Sequence, residues 1–92
     1  MPILVIVELP GGTSALDAVF IDAWGLDTSP PAGNLLRMGG PMDGGWRVLS
    51  LWESREHFER FLDERLHFSL EDAGADEPVF SFWEVETVHL VD

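Results

Sequence analysis

The stretch from Gly45 to Leu70 constrains this chain more than any other, because it reads as one strand running straight into one amphipathic helix. Residues 46–53 are mostly apolar, rich in Val, Leu and Trp, and bounded upstream by glycines, which suits a central strand rather than an edge one. Ser54 ends that strand and opens the helix. Its hydroxyl can accept from the free N–H groups of the first turn, and Glu56 sits where the positive end of the helix dipole favours an acid. From there Phe58, Phe61, Leu62, Leu66, Leu70 and Ala73 recur at helical spacing, with Glu56, Glu59, Arg60, Asp63, Glu64, His67 and Glu71 on the remaining arc.

The flanking segments supply partners for that unit. Residues 3–9 form a β-branched run stopped by Pro10-Gly11-Gly12, a strand suited to cover on two sides. Thr13 or Ser14 then caps a helix, with Asp17 spaced to reach back toward Ser14. Leu16, Val19, Phe20, Ala23 and Trp24 form its expected buried stripe, and Gly25 ends it. A loop over 27–33 leads to a short strand, 34–38. The seven residues 39–45, with four glycines, a proline and an aspartate, read as the turn of a hairpin. A phosphate cradle would open a helix, whereas this run opens a strand. After a loop over 74–78, residues 79–91 read as a long last strand, with a break expected near Trp83.

The order strand, helix, strand, strand, helix, strand, with right-handed crossovers, predicts an α+β, ferredoxin-like βαββαβ domain spanning residues 1–92. Both helices then cover one face of a four-stranded antiparallel sheet. A chain this short buries only about 60% of its unfolded surface. All four strands carry large apolar residues on both sides, so the other face is expected to meet a second copy as a homodimer.

Composition excludes several function classes. Seventeen acids stand against five arginines and no lysine, for a formal charge of −12, so nucleic acid and anionic membrane surfaces lack a basic footprint. With no cysteine, disulfides, thiolate nucleophiles and Cys-based metal sites are ruled out. The apolar opening is interrupted by Glu8 and Pro10 and lacks a basic start, so it reads as neither signal peptide nor membrane span, and the expected location is cytoplasmic.

The segment Val48-Leu49-Ser50-Leu51-Trp52-Glu53-Ser54, followed by Phe58 and Phe61, resembles the antibiotic biosynthesis monooxygenase-like group of the dimeric α+β barrel superfamily, whose third strand ends in a Trp-Glu-Ser or Trp-Lys-Ser element. The resemblance implies two sheets packed into a barrel, with a ligand cleft in each subunit between sheet and helices. It also implies oxidation of aromatic polyketides or quinols by O₂ without a cofactor, or haem breakdown. The haem branch's strand-one Asn would fall near Val7 or Glu8, its helical Trp at Phe61 and its iron-binding His near Glu71, and none matches. The expected function is therefore a cofactor-independent monooxygenase-like activity on a small aromatic molecule. The alternatives are a non-catalytic binding or assembly module, or an isomerase or cyclase using the same cleft.

Such oxygenation needs an apolar pocket, a way to hold a phenolate or enolate, and donors that stabilise the anion as it passes an electron to O₂. Asn34, Arg37, Trp52 and His89 are the catalytic candidates. Arg37 brings five donors on an apolar strand, with an ion pair to Glu84 or Glu86 as its other role. Asn34 could donate to a substrate carbonyl or cap its loop. His89, expected on a strand face with Val85, Thr87 and Val91, could serve as a base or as a structural histidine. Trp24, Trp46, His57 and Phe61 are the expected substrate-binding residues, although Trp46 and Trp52 read first as core or interface anchors. Glu8, Glu84 and Glu86 could group carboxylates on neighbouring strands. No metal site is expected: His67 with Asp63 and Glu71 reads as a solvated helix face.

Overall fold

The computed structural model describes residues 1–65 and 78–89. Four strands, β1 (Ile3–Pro10), β2 (Asn34–Met42), β3 (Gly45–Trp52) and β4 (Val79–Glu84), form one antiparallel sheet in the order β2-β3-β1-β4. Helix α1 (Ser14–Ala23) follows β1 and α2 (Arg55–Arg65) follows β3. This is the ferredoxin-like α+β arrangement, with β3 central as its composition requires. No helix among the described residues is long and apolar enough to cross a membrane.

Strand register sorts the side chains. Arg37, Ser50, Val5 and Phe82 lie opposite one another across all four strands, and Val48, Val7 and Phe80 form the next row on that face. Ile3, Val5 and Trp52 on this side pack with Phe58 and Phe61 of α2 to form the core. On the reverse face the row is Leu36, Leu51, Leu4 and Trp83. No helix covers it among the described residues, and Leu36, Met38, Val79 and Trp83 are 46%, 49%, 53% and 62% exposed.

Three expectations change here. First, β2 does not stop at Met38: Pro41 pairs with Trp46 and Met42 with Gly45, so the turn is only Asp43-Gly44, with Gly44 at φ +78°. Pro41 is tolerated because β2 is an edge strand. Gly39 is needed because the Trp46 indole lies over it, and a Cβ there would meet Nε1 at 2.9 Å. Turn-like composition thus serves packing.

Second, β4 ends at Glu84. Its partner there is Ile3, the first residue of β1, so the ladder runs out of partners and continues only through Val85 N–H to the Pro2 carbonyl at 2.8 Å. Residues 85–89 carry no regular structure, and His89 shares no strand face with its neighbours.

Third, of the two expected caps it is Thr13 that closes α1, its Oγ1 accepting from Leu16 N–H at 3.2 Å, so Asp17 does not reach back to a Ser14 cap. Asp17 turns inward with Phe20 and Trp24 at i, i+3 and i+7, while Val19 (46% exposed) and Ala23 face solvent. In α2 the expected cap holds: Ser54 Oγ accepts from His57 N–H at 3.2 Å, and Phe58 and Phe61 are buried. Leu66, His67, Leu70, Glu71 and Ala73 lie outside the described residues.

Candidate functional site

Between the sheet and the helices lies a cleft of about 80 Å³. Its walls are aromatic because each element contributes rings to the same side: Phe20 and Trp24 from α1 and the residue after it, Trp52 from β3, Phe58 and Phe61 from α2, and Phe80 from β4. The rings fix one another. Phe20 and Trp24 stack at 4.8 Å, Trp24 meets Phe61 edge-on at 5.9 Å, and Trp52 lies 5.2 Å from Phe61 and 5.4 Å from Phe58. Val7, Leu9, Leu26, Val48 and Leu62 fill the gaps.

Apart from the two indoles, the described lining has three polar side chains, Asn34, Arg37 and Ser50. Arg37 pairs with Asp17, not with Glu84 or Glu86: Nη2 lies 2.5 Å from Oδ1 and Nη1 3.4 Å from Oδ2. Asp17 is only 6% exposed, so the guanidinium is what makes its burial tolerable. Two of the five Arg37 donors are used this way.

Asn34 spends its amide nitrogen on the carbonyls of Leu36 (3.3 Å) and Leu51 (3.2 Å), bracing the irregularity where β2 begins. Ser50, 8% exposed, accepts from Trp52 Nε1 at 2.9 Å.

Five of the eight expected site residues therefore meet in the cleft: Trp24, Asn34, Arg37, Trp52 and Phe61. Three do not line it. Trp46 stands beside it near Asp17, its Nε1 buried without a hydrogen-bond partner among the described residues. The His57 ring lies against Gly33, which takes φ +86°, with Nδ1 2.6 Å from Ser54 Oγ and Nε2 3.5 Å from Glu53. His89 is exposed beyond β4. Nor do the carboxylates gather: Glu8 is on the reverse face, 3.7 Å from Arg47, while Glu84 sits five places away along the β1 ladder.

The sequence reading missed Ser50, Phe20 and Phe58 as cleft-lining groups and Asp17 as the partner of the cleft's Arg37. The available signal was spacing: Asp17 falls one turn before Phe20 and two before Trp24, and Ser50 alternates with Val48 and Trp52 on one strand face.

No family model matches the chain, and no curated protein does. Among solved structures, the chain is similar to SnoaB, a cofactor-independent oxygenase from Streptomyces nogalater. A mutant of SnoaB matches with a TM-score of 0.71 at 10% identity over 95% of each chain. SnoaB itself matches with 0.66 at 11% identity, over 95% of this chain and 93% of the other. At such identity the likeness is one of fold, and over nearly its whole length this chain has the fold of SnoaB.

Proposed function

We propose that this protein is a cofactor-independent monooxygenase-like enzyme acting on a small planar aromatic of the quinol or polyketide type. The observation that carries this reading is the aromatic-walled cleft with one charged edge, in a fold shared with a cofactor-independent oxygenase. Flat rings suit the space between Trp52, Phe61 and Trp24, while Arg37 offers donors to one oxygen of the ligand. In the simplest version a methylene beside an ionised hydroxyl reacts with O₂: one oxygen atom becomes the new ring carbonyl, and the other leaves as water with the two hydrogens lost from carbon. Arg37 holds the anion that donates the first electron, the Trp and Phe rings exclude water, and Asn34 keeps the β2 edge in place. Trp46, His57 and His89 carry no role in this proposal.

Oxygen uptake by metal-free protein with anthrones, naphthoquinols and catechols, each corrected for autoxidation, tests it. Protein-dependent uptake is expected, falling at least about tenfold in Arg37→Lys, which cannot form the same two-pronged pair. Binding of these compounds without uptake would replace this reading with a non-catalytic binding module. That second reading is favoured by two features: Asp17 already balances Arg37, and no histidine lines the cleft among the described residues.

The uncovered face supports a homodimer in the same proposal. The apolar row Leu36, Leu51, Leu4 and Trp83, flanked by Met38, Leu49 and Ile6, forms a continuous patch suited to a second copy. Sedimentation equilibrium is expected to give twice the chain mass of 10.3 kDa, reverting to one chain in Met38→Asp. Wild-type protein at 10.3 kDa would refute the dimer.

A further inference from the structure

We propose that Ser50 is a ligand-binding donor, aimed by Trp52, that makes the cleft select ligands carrying an ionised oxygen; this rests on the cleft being the aromatic-binding site. An indole nitrogen can only donate, so in the Trp52 Nε1 to Ser50 Oγ bond the serine oxygen accepts. The hydroxyl hydrogen is then left over. Among the described residues no other hydrogen bond engages Ser50, and the side chain lines the cleft while only 8% exposed. A buried hydroxyl hydrogen on the wall of an aromatic-lined space is a donor waiting for an acceptor.

Its position makes it more than a stray polar group. Ser50 on β3 is the direct cross-strand partner of Arg37 on β2, and both line the cleft. Such partners stand with Cβ atoms about 5 Å apart, so the two side chains leave the sheet side by side into the same cleft. Arg37 enters it with its charge balanced by Asp17, and three of its N–H donors remain. The serine adds a neutral donor, polarised by the indole N–H it accepts. A cationic donor and a neutral one on adjacent strands of the cleft wall favour a phenolate or enolate oxygen over an uncharged ring.

The test compares two probes by calorimetry: a hydroxynaphthoquinone that is anionic at neutral pH, and naphthalene, which has no oxygen. Ser50→Ala is expected to weaken the hydroxynaphthoquinone about tenfold and to leave naphthalene within about twofold. Trp52→Phe, which keeps a ring and the serine but removes the aiming N–H, is expected to shift the ratio of the two affinities in the same direction. Equal losses for both probes would show a purely structural serine and overturn the proposal. So would unchanged affinities in Ser50→Ala, with the oxygenase reading left intact. Failure of wild-type protein to bind either probe would overturn the cleft reading and this proposal together, whereas binding with the expected ratio but no oxygen uptake would support the serine and refute only the oxygenase.

Discussion

Replacing Asp17 with alanine is expected to lower folding stability by about 3 kcal/mol, the low end of the range for breaking a buried ion pair. The reason is the charge left behind. Asp17 is 6% exposed and is the only described acid within hydrogen-bond distance of Arg37, whose side chain is 20% exposed. Without the carboxylate, the guanidinium stays partly buried beside aromatic rings with only limited access to water. Removing both charges in Asp17→Ala/Arg37→Met is expected to recover most of the loss, giving a coupling energy of at least about 2 kcal/mol in a double-mutant cycle, since Arg37→Met alone also strands the buried Asp17. Urea unfolding monitored by tryptophan fluorescence measures all four proteins, with midpoints moving and slopes unchanged. A single-mutant loss below about 1 kcal/mol would mean that the pair behaves as a surface contact and that the cleft edge is wetter than its burial indicates.

Trp52→Ala is expected to be more damaging, by about 3–5 kcal/mol. The ring is 3% exposed, packs on Phe58 and Phe61, and sits on the strand that joins β1 to β2. Alanine would leave a cavity against a helix that has little else to rest on, since Phe58 and Phe61 are its buried anchors among the described residues. For a domain with a total stability of about 5–15 kcal/mol, such a loss brings the protein close to unfolding. Thermal denaturation followed by circular dichroism measures it, and Trp52→Phe is expected to retain more than half of the difference. If Trp52→Ala melted near wild type, Trp52 would be a cleft-facing side chain without a core role.

Trp52, Phe58 and Phe61 were legible in the sequence for the same reason that their loss is costly: large apolar residues at strand and then helix spacing leave few ways to be buried. The sheet order followed from that unit and the crossover rule. What the sequence could not show depended on distant partners. Asp17 looks like a capping acid until Arg37, twenty residues later, is placed opposite it by the sheet. Gly39-Gly40-Pro41 looks like a turn until Trp46 needs a residue without a side chain beneath its indole. The alternation after Trp83 continues in the sequence, yet the strand ends where β1 begins and offers no further partner, so His89 loses the face it was expected to share. Ser50, a small polar residue in an apolar run, shows its role only once Trp52 is seen donating to it and Arg37 is seen across the ladder.

A crystal structure of the protein with the hydroxynaphthoquinone bound would test the central claim most directly. The account predicts the ring system between Trp52, Phe61 and Trp24, with its ionised oxygen about 3 Å from both an Arg37 nitrogen and Ser50 Oγ. A ligand seated on the reverse face of the sheet, or one whose oxygen points to solvent away from Arg37 and Ser50, would contradict it.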